Sequence, residues 1–193
     1  PIRQELFEGD REAGLNFLGY DGSKSILMII GGSTGAQAIN ECVRASLDKL
    51  TATFDIVHLC GKGKLDDSYS DNPSYKQYEY VSDELNDVFA CADMVISRAG
   101  ANAICELLAL KKPHLLIPLS ASASRGDQIL NANSFKKRGF SEVLEEEDMT
   151  SDTLVSTVEN VYSNRENYIS RMNESPMSDP IATIVELIQE VSR

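Results

Sequence analysis

Residues 25–37 read Ser-Ile-Leu-Met-Ile-Ile-Gly-Gly-Ser-Thr-Gly-Ala-Gln: an apolar run, a pair of glycines, then the opening of a helical pattern. An apolar run without alternation suits a strand buried on both faces, the habit of a parallel sheet. The helical pattern continues from Ala36 to Leu50 through Ile39, Cys42, Val43, Leu47 and Leu50. The unit then recurs. Phe54–Cys60 is strand-like and ends at Gly61-Lys62-Gly63, and Tyr78–Val81 is a third strand, followed by a short helix over 83–90. Asp93–Ser97 and His114–Pro118 are further strands, separated by a helix over Asn102–Leu110 that Pro113 stops. A helix over Gly126–Lys137, with Gly139 as its C-cap, leads to a sixth strand at Ser141–Leu144. Strands joined by helix-length crossovers give an α/β fold, a doubly wound parallel sheet of about six strands.

Upstream, residues 1–24 are mixed, with Phe17-Leu18-Gly19-Tyr20 as a candidate short strand. The chain opens on Pro1, and Pro-Ile-Arg-Gln-Glu-Leu reads as the middle of a longer chain. Beyond Glu145 the strand pattern stops, and Thr150–Tyr162 and Ile181–Val191 read as helices. The acid run Glu145–Asp148 reads as solvated charge favoured by a helix N-terminus.

With 193 residues, 42% of them apolar, the chain can build a core without staples. A formal charge of −12 argues against nucleic acid as a partner, because no basic stripe is present to neutralise phosphates. No apolar run reaches the roughly 18 to 20 residues of a membrane span, and the start has no secretory pattern. Cys42, Cys60, Cys91 and Cys105 form no CxxC pair, which points to reduced thiols in a cytosol. His58 and His114 both lie inside apolar runs, so a histidine metal centre is not expected.

Ligands of open parallel sheets bind outside the carboxyl ends of the strands. Four such ends carry unusual residues: Gly31–Ala36, Gly61–Gly63, Ser97–Asn102 and the segment from Ser120 to Asn131. In the first, glycines permit close backbone approach, Ser33 and Thr34 add hydroxyls, and the following helix offers free N–H groups to an anion. The Gly-Gly pair can equally just turn the chain; GxGxxG spacing and a P-loop lysine are both missing. In the next helix, Glu106 could accept from two vicinal hydroxyls, as on a ribose, or be a plain surface carboxylate. Asp127 and Gln128 could read sugar hydroxyls, while Asp127 alone also fits an N-cap.

Taken in order, Gly-Gly-Ser-Thr-Gly-Ala-Gln, Ser-Arg-Ala-Gly-Ala-Asn-Ala-Ile-Cys-Glu and Asp-Gln-Ile-Leu-Asn-Ala resemble the MurG family. Its members transfer N-acetylglucosamine from UDP-GlcNAc to lipid I, giving lipid II for peptidoglycan. The likeness runs from Pro1 to about Phe140 and covers only the C-terminal, donor-binding half of a GT-B enzyme, one Rossmann-like domain of two. It implies a linker and first short element over 1–24, a UDP-sugar-binding core over 25–145 and C-terminal helices over 146–193. By resemblance, Ser33, Thr34, Gly35 and Ala36 hold the diphosphate with Arg3 nearby, and Tyr80 and Val81 border the uracil. Arg98, Gly100, Ala101 and Asn102 approach the nucleotide, Glu106 takes the ribose hydroxyls, and Asp127 and Gln128 contact the sugar. Asp127 and the Ser120–Ser124 stretch depart from the family pattern, where Gln-Gln is common at 127–128.

The family reaction inverts the anomeric centre without a tightly held metal or other cofactor. Its base, lipid I site and membrane-facing patch belong to the N-terminal half, so these 193 residues are expected to bind donor and not turn over. In the whole enzyme the resemblance implies a cytoplasmic location at the inner face of the bacterial membrane. Other readings are the donor-binding subunit of a two-chain GlcNAc transferase, an epimerase-like enzyme and a noncatalytic nucleotide-sugar-binding domain.

Overall fold

The computed structural model describes residues 2–32 and 36–175. Six parallel strands, β1 (Ser25–Ile30), β2 (Phe54–Leu59), β3 (Tyr75–Tyr78), β4 (Met94–Ser97), β5 (His114–Leu116) and β6 (Glu142–Val143), form one sheet. Their order is β3-β2-β1-β4-β5-β6. The winding therefore reverses between β1 and β4, where Ile30 stands opposite Ser97 at the strand ends. This is the doubly wound order with a switch point at the centre.

Alternate residues of the strands feed two cores. Ile26, Met28, Val57, Val95 and Leu116 face α1 (Arg11–Leu18), α4 (Leu85–Cys91), α5 (Ala101–Ala109), α6 (Asp127–Lys137) and α8 (Arg165–Glu174). Leu27, Ile29, Ile56, Met94 and Leu115 face α2 (Gln37–Ala45), α3 (Leu47–Leu50) and α7 (Ser151–Ser163). Both faces of the sheet are covered, which is why the strands read as unbroken apolar runs. No described helix is long and apolar enough to cross a membrane.

Several elements differ from the sequence expectation. Phe17-Leu18 closes α1 instead of forming a strand: Asp10 caps its start through Ala13 N at 2.8 Å, and Gly19 ends it at φ 73°. Tyr20 then drops into the core and donates its hydroxyl to Ile56 O. A four-residue apolar run is too short for periodicity to separate the two states. The long helix over 36–50 breaks at Ser46, whose Oγ donates to Cys42 O at 2.7 Å.

The third strand sits three residues earlier than expected, with Tyr75 opposite Ile56 and Tyr78 opposite Leu59. That register buries the Tyr75 ring and leaves Tyr80 and Val81 in the loop beyond the strand. The helix α8 has no counterpart in the sequence reading, since only Met172 of its residues is buried and its apolar stripe is thin. The expected helix over Ile181–Val191 lies outside the described residues.

Residues 2–24 pack on the sheet through a 3₁₀ turn at Gln4–Glu8 and through α1, with Leu6, Leu18 and Tyr20 in the first core. Here α1 approaches α4 backbone to backbone. A Cβ at Gly14 would stand 2.2 Å from Asp87 O and 3.0 Å from Cys91 Sγ. Gly14→Ala is therefore expected to destabilise the fold by about 2 kcal/mol by forcing the two helices apart. Urea denaturation of the variant checks this; an unchanged midpoint would contradict so close an approach.

Candidate functional site

A cleft of about 380 Å³ opens at the carboxyl ends of β1 and β4, where the winding reverses. One wall is Ile30-Gly31-Gly32 after β1, and the opposite wall is the start of α5 from Gly100 to Ala103. Ser97, Arg98, Leu119 and Gln128 complete it. The volume suits a small ligand, and the position is the one at which open α/β sheets bind theirs.

The first wall is shaped by close approach. A Cβ on Gly31 would lie 2.6 Å from the Ala36 Cβ, and Gly32 adopts φ 78°. The chain thus folds tightly between β1 and α2, with Ala36 buried just ahead of the helix. Ser33, Thr34 and Gly35 lie outside the described residues. Behind this turn is a buried polar chain. Asn40 donates its amide to Cys60 O at 2.9 Å, so its Oδ1 accepts from His58 Nε2 at 2.8 Å. His58 Nδ1 then accepts from the Tyr75 hydroxyl at 2.6 Å. The chain ties α2 to the ends of β2 and β3. Burial, with the Arg44 charge in second place, lowers the His58 pKa to about 3, which keeps the ring neutral. His114 is likewise buried, its pKa lowered to about 4, and Nδ1 bonded to Lys112 O at 2.7 Å. Neither ring lines the cleft, so neither suits an epimerase-type acid or base.

The second wall presents the free N–H groups of a helix start. Gly100 precedes α5 in an extended conformation, nothing stands within 4 Å of where its Cβ would be, and Ala101 and Asn102 are exposed. Such amides, aligned with the helix dipole, favour an anion. Glu106 lies one turn further along α5 from Asn102, with its side chain 13% exposed. Its carboxylate is gripped by Arg3, Nε to Oε1 at 3.0 Å and Nη2 to Oε2 at 3.2 Å. The hydrogen bond to Glu106 raises the Arg3 pKa above its ordinary value. The sequence reading gave Arg3 and Glu106 separate duties; the fold joins them.

Arg98 was expected to approach the nucleotide. Its side chain does line the cleft, but its guanidinium is buried and bound to protein. Nη1 donates to Ile117 O at 3.1 Å and Pro118 O at 3.3 Å, and Nη2 donates to Glu146 Oε1 at 2.5 Å. Arg98 thus clamps the ends of β4 and β5 to the 3₁₀ turn Glu146–Asp148. The acid run there is accordingly not simply solvated charge, because a buried guanidinium needs a counterion. The helix α7 that follows takes Thr150, not an acid, as its cap.

Asp127 is exposed as the first residue of α6, and Gly126 at φ 84° occupies the cap position, so Asp127 is not the N-cap. Gln128 Oε1 accepts from Leu119 N at 3.0 Å and Ala99 N at 3.3 Å. With its oxygen held by two backbone donors, Gln128 has its NH₂ to offer a ligand. Asn131 adds a bond from Nδ2 to Ala99 O at 3.0 Å. Tyr80 is 70% exposed, Val81 packs against the first core, and neither lines the cleft. Leu119, Ala103 and Glu146 were missed by the sequence reading: the first two act through position alone, and Glu146 looks like its acidic neighbours.

The chain is similar to known proteins in family and fold. Residues 26–188 match the family described as Glycosyltransferase family 28 C-terminal domain. A UDP-N-acetylglucosamine–N-acetylmuramyl-(pentapeptide) pyrophosphoryl-undecaprenol N-acetylglucosamine transferase from Lachnospira eligens is 56% identical over the whole chain. A protein of the same name from Geobacillus thermodenitrificans is 52% identical over 192 residues. The chain spans about half the length of these curated relatives, 54% of each. Among solved structures, Acinetobacter baumannii MurG superposes with a TM-score of 0.70 at 22% identity, over 88% of this chain and 53% of that one. That likeness supports the fold.

Proposed function

The chain belongs to the glycosyltransferase family 28 C-terminal domain family, and on that footing we propose that it is the UDP-GlcNAc-binding half of an inverting N-acetylglucosaminyltransferase. The whole enzyme converts lipid I to lipid II in peptidoglycan synthesis. One observation carries the reading: the cleft at the switch point meets a helix start, with a carboxylate one turn further along the same helix. The diphosphate sits between the Gly31-Gly32 turn and the first amides of α5, and Ser33, Thr34, Gly35 and Ala36 are the residues proposed to hold it. The ribose reaches Glu106, and Tyr80 and Val81 border the uracil. Asp127 and Gln128 contact the sugar.

As the anomeric bond breaks, charge grows on the leaving UDP. The backbone amides at the start of α5, fixed before the ligand arrives, stabilise it without reorganising, typically the largest catalytic contribution. In this proposal no tightly held metal is needed. The lipid I site, the base that activates the acceptor hydroxyl and the contact with the inner face of the membrane come from the half of the enzyme beyond this chain.

Isothermal titration of the chain with UDP-GlcNAc, UDP and NAD tests the reading. UDP and UDP-GlcNAc are expected to bind and NAD to fail, with no transfer of GlcNAc to lipid I. Binding of NAD in place of UDP would overturn the donor assignment. Robust transfer would overturn the division of labour between the halves.

A further inference from the structure

Glu106 offers two carboxylate oxygens in fixed positions on α5, and Arg3 occupies both of them. A pair of vicinal ribose hydroxyls would need the same two acceptors. The guanidinium and the diol are therefore competitors for one seat. The carboxylate is the sheltered partner, 13% exposed, and the arginine the accessible one at 54%. Arg3 stands in extended backbone ahead of the first 3₁₀ turn, so its side chain can leave the carboxylate without disturbing a helix.

We infer that Arg3 is a specificity-determining residue that holds the ribose seat of Glu106 until a ligand brings a phosphate to draw the guanidinium away. This rests on the reading of Glu106 as the ribose acceptor. A bare nucleoside must evict Arg3 and gives it no partner. A nucleoside diphosphate provides charge-assisted acceptors close by, since Glu106 lies one turn beyond the cleft-lining Asn102. The same exchange removes a carboxylate–guanidinium pair and leaves Glu106 hydrogen-bonded by two hydroxyl donors while Arg3 pairs with phosphate. The cleft thereby favours phosphorylated nucleosides over free ones.

The test uses the 193-residue chain with Arg3→Gln and, separately, Glu106→Gln, each titrated with uridine, 2′,3′-dideoxyuridine and UDP and followed by NMR shifts. Arg3→Gln is expected to tighten uridine by about two- to five-fold, the worth of a partly exposed ion pair. It is expected to weaken UDP by about ten-fold, since a charged donor to phosphate is lost. Dideoxyuridine, which has no diol, should show no gain. Changes of the same sign for uridine and UDP, or an equal gain for dideoxyuridine, overturn the role of Arg3 while leaving the donor site intact if Glu106→Gln still weakens UDP. Failure of the unaltered chain to bind UDP, or indifference of UDP to Glu106→Gln, overturns the ribose seat and the competition together.

Discussion

Stability is expected to fall by about 5 kcal/mol between about pH 7.5 and pH 4.5, because two histidines are held neutral inside the fold. His58 and His114 are buried, with pKa values lowered to about 3 and about 4. An unfolded histidine titrates near about 6.5. Between those limits the unfolded chain carries two protons that the folded chain refuses. Stability is thus full above about pH 6.5 and is lost steadily as the pH falls, at up to about 1.4 kcal/mol per pH unit for each ring. The carboxylates with lowered pKa, Asp21, Asp66 and Asp152, respond at more acid pH. Urea unfolding at several pH values measures the slope. His114 is the simpler one to remove, since its Nε2 has no partner among the described residues. His114→Leu should halve the dependence, whereas a flat profile in the unaltered chain would show that the rings are protonated in the fold.

Replacing Glu106 with Ala is expected to weaken UDP-GlcNAc by about 1.5 to 3 kcal/mol, the worth of hydrogen bonds to a charged group. The substitution also removes the Arg3 pair that the diol must otherwise displace, so the loss should sit toward the lower end of that range. The variant should keep its fold, because the pair it removes joins an exposed arginine to a helix that is otherwise anchored by Ile104, Leu107 and Leu108. Calorimetric titration gives the affinity and thermal unfolding the fold. An unchanged affinity in a folded variant would remove Glu106 from the ribose.

The parallel sheet was legible because its evidence is local and repeated: apolar runs closed by glycine or small residues, then helical periodicity. The site motifs were legible for the same reason, since Gly31-Gly32 and the Ala99–Asn102 segment follow strands whose ends must share one rim. Misreadings fell where a short segment supported two states. Phe17–Tyr20 became a helix end because Gly19 could take the left-handed cap and Tyr20 had a carbonyl to reach in β2. The third strand slid to Tyr75–Tyr78 because Tyr75 reaches His58 there, a contact between residues on different strands.

Sequence by itself determined the alternation of strand and helix, the glycines at the turns and the presence of a carboxylate one turn into α5, because each depends on neighbours a few positions away. Only the tertiary structure decided what those side chains hold. It turned Arg98 inward onto Glu146, directed the Gln128 oxygen to the amides of Ala99 and Leu119, and seated Arg3 on Glu106. Most of these contacts join residues far apart in the chain, and which cation meets which carboxylate follows from distance in the folded molecule, not from residue type.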